Sequence, residues 1–382
     1  MRGSHSQGNG SSQVLALGLM SGTSMDGIDA AIIETDGLAR VRAVASLAVP
    51  YPRSLRDRVA AVLPLARALD APSPLPAALA ELEASITAAQ TEAVRMLLAE
   101  CRIAPARIRV IGFHGQTVAH RPDAGWTLQL GDGAALAAAT GIDVVNDFRS
   151  ADMAAGGEGA PLAPLYHLAL AADVDVRPLG VLNLGGVGNA TWIGPQGTSP
   201  VAFDTGPANA LIDEWALAHL GEPFDRNGAL AAAGRVDEGA LAALMDNPYF
   251  DRQPPKSLDR LDFSALPVEG LSPADGAATL TAFTVESVVR ALEHLPAAPL
   301  RWIVCGGGRR NPAIMAALQR RLRVPVVPAE EAGWRGDVLE AEAFAYLAVR
   351  SLGGLPLSLP TTTGVREAVT GGRLHPAGAR AA

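Results

Sequence analysis

The chain has 382 residues, of which 49% are apolar, and carries a formal net charge of −8 at pH 7. This length exceeds what one hydrophobic core usually organises, so we expect two domains with a cleft between them. The acidic balance argues against nucleic-acid or anionic-membrane partners, and no apolar run reaches the ~18 to 20 residues of a membrane helix. Cys101 and Cys305 have no paired or metal-ligand spacing. These features predict a cytoplasmic protein.

The opening segment, residues 1–13, is polar and rich in Gly and Ser, which predicts disorder. Two apolar runs, 14–20 and 28–34, then flank the polar turn Ser21 to Gly27, which is a β-hairpin signature. The same pattern returns midway, where 180–184 and 190–193 flank the turn Gly185 to Asn189. The chain thus begins its architecture twice.

The other elements alternate between helix and strand, which indicates an α/β protein. Between the hairpins, we predict helices over 76–100, 133–139 and 162–172 and strands over 108–113 and 142–146. After the second hairpin, we predict helices over 208–219 and 276–295, a βαβ unit over 302–305, 311–322 and 324–327, and a last helix over 338–352. Asn311 before Pro312 is typical of a helix N-cap.

The first turn, Ser21 to Gly27, has the composition of a phosphate site: glycines for close backbone approach, hydroxyls, and Asp26, which could orient hydrated Mg²⁺ or a substrate hydroxyl. An ordinary Gly-rich hairpin turn has the same composition. No Gly-Lys-Ser/Thr follows, so this is not a Walker loop. The second turn, 183–189, favours the phosphate interpretation, because two facing turns could hold a polyphosphate from both sides.

A third glycine turn, Gly306 to Gly308, joins a predicted strand to a predicted helix start, where bare backbone can approach a nucleotide. Close strand-to-helix packing would also require small residues there. Asp204 follows the strand-like 201–203 and precedes Pro207. It could be a general base that points into the cleft, or it could cap a helix.

Other polar groups have two interpretations each. Asp147 and Arg149 could contact substrate or pair with each other. His114 and His120 lack a ligand cluster, so a zinc site is not expected, and His114 could hydrogen-bond substrate or the core. Glu340 begins a helix whose alanines at 341, 343 and 345 would permit close packing on another helix, and it could reach the cleft.

These segments together resemble the anhydro-N-acetylmuramic acid kinase family, a branch of the actin-like, hexokinase-like and Hsp70-like ATPases. The resemblance runs from about residue 14 to about 375. It rests on the segments 18–29, 114–117, 128–132, 145–149, 156–162, 182–186, 203–207, 255–257 and 305–308. Two positions depart from the family pattern, with Ala208 in place of Gly and Glu158 in place of Gln.

The resemblance implies a two-lobed ATPase fold of duplicated ribonuclease-H-like domains around a cleft, with lobes over 14–145 and 146–382. It implies an ATP site formed by Gly22, Thr23, Ser24, Met25, Asp26, Gly27, Ile28, Asp29, Asn183, Gly185, Gly186, Gly306, Gly307 and Gly308. The implied catalytic residues are Asp204 and Glu340, and the implied substrate-binding residues are His114, Gln116, Asp147 and Arg149. ATP and Mg²⁺ are the implied cofactors, no protein metal ligands are expected, and a homodimer is a family expectation.

The implied reaction belongs to peptidoglycan recycling. In 1,6-anhydro-N-acetylmuramic acid, O6 is tied to C1, so that bond must break as the γ-phosphoryl group moves to O6, and Asp204 would be the base for the attacking water. A kinase for another sugar, or an ATP-driven chaperone-like module on the same scaffold, are the alternatives.

Overall fold

The computed structural model describes residues 13–22, 25, 27–258 and 262–378. The predicted disorder of residues 1–13 therefore lies outside the described residues, apart from Gln13. Thr23, Ser24 and Asp26 of the first turn also lie outside them.

The described chain alternates strands and helices. The strands are β1 (Val14–Ser21), β2 (Gly27–Thr35), β3 (Val41–Pro50), β4 (Ile108–Arg121), β5 (Trp126–Leu130), β6 (Val144–Asn146), β7 (Leu179–Leu184), β8 (Val187–Ile193), β9 (Val201–Pro207), β10 (Arg301–Cys305), β11 (Val326–Pro328) and β12 (Arg373–His375). The helices are α1 (Arg53–Arg67), α2 (Ala77–Cys101), α3 (Gly133–Thr140), α4 (Ser150–Ala154), α5 (Pro164–Leu170), α6 (Asn209–Leu220), α7 (Ala229–Ala233), α8 (Glu238–Met245), α9 (Pro273–Ala291), α10 (Pro312–Leu322), α11 (Leu339–Leu352) and α12 (Pro360–Thr363).

Two sheets share one strand order. In the first sheet the order is β3-β2-β1-β4-β6, with β1, β2 and β3 antiparallel and β4 and β6 parallel to β1 and to each other. In the second sheet the order is β9-β8-β7-β10-β11, with the same pattern of directions. Both predicted hairpins and the predicted βαβ unit are confirmed. The repeated order confirms the predicted duplicated, two-lobed α/β fold.

The first sheet is extended beyond this shared order. Strand β5 pairs with β4, and β12, near the end of the described chain, pairs antiparallel with β6. The chain thus returns from the second sheet to the first, and the proposed boundary between residues 145 and 146 stays a prediction. Within the described residues, no helix is both long enough and apolar enough to cross a membrane.

Helix α11 lies against the first sheet at very short range. A Cβ at Gly18 of β1 would lie 1.8 Å from the carbonyl oxygen of Ala341, and a Cβ at Gly112 of β4 would lie 2.0 Å from that of Phe344. Only glycine allows this approach. The helix also packs on α5, where the rings of Tyr166 and Tyr346 are 5.5 Å apart. The predicted close packing of this alanine-rich helix is confirmed, with strands as its main partners.

One buried core joins the two sheets through α11. It includes Ala16 and Val110 of the first sheet, Val181 and Ile303 of the second, and the buried face of α11. Two further cores cover the outer faces, one under α1 and α2 and one under α6, α9 and α10. Because α11 is packed into the shared core, a residue at its N-terminal end, such as Glu340, is held in a fixed position relative to both sheets.

Candidate active site

Asp204 lies in β9, directly opposite Asn189 of β8 in the strand register. Its side chain is buried, and its Oδ2 accepts a hydrogen bond from the Leu258 N–H at 2.9 Å. Its own N–H donates to the Lys256 carbonyl at 3.1 Å, and its carbonyl accepts from the Tyr249 hydroxyl at 2.6 Å. The backbone on both sides of this carboxylate is therefore fixed.

The helix-capping interpretation of Asp204 is wrong. Strand β9 continues through Pro207, and the N-cap position of α6 is Ala208. The sequence signal failed because Pro207 resembles a helix start, whereas here it ends a strand. At Asn311, the prediction of a helix cap before a proline is confirmed, because the Asn311 side chain accepts from the N–H groups of Ala313 and Ile314.

The environment of Asp204 disfavours its charge. Burial raises its pKa to about 7, against smaller lowering effects of the Leu258 N–H and the Arg149 guanidinium. The negative charge of Glu158 raises the pKa further. A carboxylate with a pKa near neutrality can take a proton from water and remain ionised often enough to act as a general base.

Arg149 is a partly buried cation that acts on both proposed catalytic carboxylates. It donates to the Gly159 carbonyl at 2.6 Å and to Nε2 of His114 at 2.9 Å. Desolvation lowers the pKa of its guanidinium, and the charges of Glu340 and Asp204 oppose that effect. One guanidinium therefore interacts electrostatically with both carboxylates.

His114 uses both ring nitrogens within the protein. Nδ1 lies 2.8 Å from the Gly115 carbonyl and must donate to it, which leaves Nε2 as an acceptor for Arg149. Burial lowers the pKa of this imidazole well below its usual value, so the neutral form persists. Its ring lies 4.5 Å from that of Phe344 in α11. This geometry favours a role in orienting Arg149, and direct substrate binding by His114 stays a prediction.

Glu340, at the start of α11, reaches the second sheet. Its Oε1 accepts from the Asn183 amide at 3.2 Å, at the end of β7. Burial raises the pKa of this carboxyl, while Arg149 and Asn183 lower it. The charges of Glu340, Arg149 and Asp204 therefore act on one another, and Asn183 is attached to this group through Glu340. The catalytic roles of these residues stay predictions.

The two remaining predicted substrate residues lie apart from this cluster. Asp147 is exposed, and its carboxylate accepts weakly from the Ser150 N–H at 3.4 Å. Within the described ranges no ion pair joins it to Arg149, so that pairing is wrong. Gln116 is fully buried and donates to the Gly22 carbonyl at 3.0 Å, which ties β4 to the first turn. Substrate contacts of both residues stay predictions.

The second and third glycine turns pack directly on each other. A Cβ at Gly306, whose φ is +73°, would lie 2.4 Å from Asn183 Oδ1, and one at Gly308 would lie 2.6 Å from Leu184 Cβ. Close packing thus explains these two glycines. Gly185 and Gly307 are different, since a Cβ there would lie no closer than 3.6 Å and 3.7 Å to its nearest neighbour. A Cβ at either position would make only ordinary van der Waals contact, so packing does not require glycine there, and bare backbone at these two positions would let a polyphosphate or nucleotide approach closely.

The first turn is tight where it is described. The Met25 N–H donates to the Gly22 carbonyl at 3.1 Å, and Met25 has a φ of +57°. Behind it, the Ser21 hydroxyl accepts from Gln90 at 2.6 Å and lies 2.8 Å from the Tyr51 hydroxyl. The hydroxyl and carboxyl groups of Thr23, Ser24 and Asp26 lie outside the described residues, so their phosphate contacts stay predictions. Gly27, Ile28 and Asp29 begin β2, where Asp29 lies opposite Met20.

Several supporting residues were missed at the level of sequence. Asn209 donates from its side chain to the carbonyls of Leu184 and Gly185 at 2.7 and 2.9 Å, which ties the second turn to α6. Tyr249 and Leu258 hold Asp204, and neither stood out by composition or spacing. The segment 255–257 did contribute to the resemblance, and its place beside Asp204 now explains that signal.

The two departures from the family pattern lie close to these groups. The N–H of Ala208 donates to the Gly186 carbonyl at 3.0 Å, so this residue adjoins the second turn. Glu158 accepts from the Ser257 hydroxyl at 2.7 Å, and Arg252 lies 3.9 Å from its other oxygen.

In the part of the chain that the structure describes, no three His, Cys, Asp or Glu residues are grouped to hold a metal ion.

Comparisons with known proteins concern the chain as a whole. The family model of anhydro-N-acetylmuramic acid kinase matches residues 14–377. Proteins of that name from Rhizorhabdus wittichii and Rhodospirillum rubrum are 56% and 54% identical, over 95% of this chain in both cases and over 99% and 95% of their own lengths. A glucokinase of the ROK family from Streptomyces griseus, solved with glucose and AMPPNP, has a TM-score of 0.41 and 14% identity, over 87% of this chain and 99% of its own.

The two sequence relatives each cover nearly the whole chain at more than half identity. Together with the family model, they show that the chain belongs to the anhydro-N-acetylmuramic acid kinase family.

Proposed function

We propose that this kinase opens the 1,6-anhydro ring of 1,6-anhydro-N-acetylmuramic acid and phosphorylates O6, with Asp204 as the base. The observation that carries the proposal is the Asp204 carboxylate, which is buried, held by the Leu258 N–H and brought by burial to a pKa of about 7. A group with this pKa can both lose and gain a proton during turnover at neutral pH.

The bond changes balance as follows. Water attacks C1 while its proton passes to Asp204, and the C1–O6 bond breaks with its electron pair on O6. O6 attacks the γ-phosphorus, and the bond to the bridging oxygen of ADP breaks. The products are N-acetylmuramic acid 6-phosphate and ADP, and Asp204 then releases its proton to solvent. Because water supplies the new C1 hydroxyl, ring opening and phosphorylation are coupled.

The ATP side of the site rests on the three turns. Gly185 and Gly307 present bare backbone at positions where packing does not require glycine. Asn183 and Gly186 would complete the second turn, and the first turn would close on the phosphates from the other sheet. Mg²⁺ bound to ATP would neutralise charge on the transferring phosphoryl group. Asp26 in the first turn and Asp29 at the start of β2 are the acidic residues that could hold its hydration shell. A cytoplasmic location and a homodimer remain predictions from the sequence.

Arg149 and Glu340 have proposed supporting roles. Arg149 would bind substrate oxygens and balance the charge of Asp204, since the two groups interact electrostatically. His114 would keep the guanidinium in place. Glu340, anchored by Asn183, would counter the charge of Arg149 and face the reacting groups.

Turnover in ¹⁸O-labelled water tests the reaction. We expect heavy oxygen on C1 of the product, when the anomeric hydroxyl is trapped before exchange, and none in the phosphate group. Label in the phosphate, or phosphorylation without ring opening, would contradict the proposal. ATP consumption with N-acetylmuramic acid and N-acetylglucosamine is the control for substrate. We expect both sugars to be poor acceptors, since each has a free O6 hydroxyl and lacks the 1,6-anhydro ring.

A further inference from the structure

Residues 256–258 form a short clasp around Asp204. The Lys256 carbonyl accepts from the Asp204 N–H at 3.1 Å, and the Leu258 N–H donates to Asp204 Oδ2 at 2.9 Å. Ser257, between these two contacts, is buried and turns its hydroxyl away from Asp204 to Glu158 Oε2 at 2.7 Å. The middle of the clasp is therefore attached to a different part of the chain.

Glu158 is itself well fixed. Its N–H donates to the Thr363 carbonyl at 2.7 Å, and the neighbouring Gly159 N–H donates to Asp152 Oδ2 at 2.7 Å. The Gly159 carbonyl accepts from Arg149. The loop that carries Glu158 thus contacts both the clasp and the partly buried Arg149.

We propose that Glu158 is a positioning residue that holds the clasp, and through it the Asp204 carboxylate, by accepting the Ser257 hydroxyl bond while its charge acts on Asp204. The inference rests on the proposed role of Asp204 as the base. A hydrogen bond to an ionised acceptor is stronger than one to a neutral group, so the charge also strengthens the clasp.

Several other titratable groups surround Asp204 and Glu158. They are Arg149, Asp152, Tyr249, Arg252, Lys256 and Asp262. Arg252 lies 3.9 Å from Glu158 Oε1 and is half exposed, so it screens this carboxylate only partly. Glu158 raises the pKa of Asp204, and removal of its charge should lower it.

Three variants separate the hydrogen bond from the charge. Glu158→Gln keeps an oxygen that accepts from Ser257 but removes the charge. Ser257→Ala removes the hydroxyl and keeps the charge. Glu158→Ala removes both. Glu100→Gln, at an exposed position of α2 far from the site, is the matched control.

The measurement is the pH profile of kcat and of kcat/KM with the sugar and saturating ATP. For Glu158→Gln we expect kcat within about threefold of wild type and an acid limb displaced to lower pH by roughly half a pH unit or more. For Ser257→Ala we expect kcat to be about 10-fold lower, since one charge-assisted hydrogen bond is lost. The acid limb of its pH profile should stay at the same pH as in wild type. Glu158→Ala should combine both effects, and Glu100→Gln should match wild type.

The outcomes are distinguishable. A Glu158→Gln profile that overlays wild type, or a Ser257→Ala kcat equal to wild type, overturns the inference about Glu158 while the role of Asp204 stands. Near-normal turnover of Asp204→Asn would remove the proposed base and this inference with it. If Glu158→Ala fails to fold, Ser257→Ala and Glu158→Gln still decide the question.

Discussion

The first and second hairpin turns occupy the same place in two sheets of the same strand order, yet they are held in different ways. Side chains from outside the hairpin support the first turn, through Gln116 on the Gly22 carbonyl and through Gln90 on Ser21. Helix α6, which follows β9, supports the second turn through the Asn209 side chain, which donates to the carbonyls of Leu184 and Gly185. The duplication is therefore one of topology, whereas the stabilising contacts are separate for each turn.

The difference also concerns chemistry. The third strand of the second sheet carries Asp204 opposite Asn189, whereas the third strand of the first sheet carries Ala48 opposite Asp29. Glu340 contacts Asn183 at the second turn. The proposed catalytic carboxylates thus cluster near the second turn. On this basis, changes near the second turn should affect turnover, and changes near the first should affect ATP binding.

The largest expected effect is that of Asp204→Asn. Loss of a well-placed general base lowers kcat by ~10² to 10⁴. The Asn side-chain oxygen can still accept from the Leu258 N–H, so the fold and ATP binding should be retained. Steady-state kinetics and nucleotide titration measure the two properties separately. Asp29→Asn, the same exchange at the hairpin carboxylate of the first sheet, is the comparison, and a larger loss of kcat there would reverse the assignment of chemistry to the second sheet.

Glu340→Gln comes next. The amide keeps the contact with Asn183 but removes the charge that faces Arg149, so we expect kcat/KM to fall about 10-fold to 100-fold, in the range of a lost charge-assisted interaction. Glu342→Gln, two residues along the same helix, is the control, because Glu342 bonds Tyr166 in the core. If Glu342→Gln lowers kcat/KM as much as Glu340→Gln does, helix packing and not the cleft charge explains the loss.

Stability against pH tests the burial of Asp204. Its pKa is about 7 in the folded protein against an ordinary value of 3.8, a difference equivalent to about 4 kcal/mol. Since the folded pKa is raised, wild type loses stability as pH rises from about 4 to about 7, and the loss is complete above that range. Asp204→Asn has no such loss, so its stability advantage over wild type should be about 2.5 kcal/mol larger at about pH 8 than at about pH 5.

Urea unfolding midpoints of both proteins at the two pH values measure this difference. Any constant effect of the amide, such as an unsatisfied N–H, cancels in the comparison between pH values. If the difference in stability between the two proteins is the same at both pH values, Asp204 is already ionised in the folded protein at about pH 5. That result would remove the basis for its role as the base.

Much of this arrangement could be predicted from the sequence, for identifiable physical reasons. The two hairpins and the α10 cap depend on local patterns, and these local predictions were correct. The predicted end of β9 was too early, because Pro207 resembles a helix start. Proline also suits the end of an edge strand, which is its place here. The contacts of Asn209 with the second turn, of Leu258 with Asp204, and of His114 with Arg149 join residues distant in the chain, and no local pattern encodes them.

The smallest expected effects compare the two turns directly. Asn209→Ala removes two hydrogen bonds to carbonyls of the second turn, each worth about 0.7 kcal/mol, so KM for ATP should rise about 10-fold. Gln116→Ala removes one hydrogen bond to the first turn, at the Gly22 carbonyl, so KM for ATP should rise about threefold to fivefold. For both variants kcat should change less than KM, and thermal melts control for unfolding. If Gln116→Ala instead raises KM for the sugar and leaves KM for ATP unchanged, Gln116 contacts substrate, and the first turn is held by Ser21 and its partners alone.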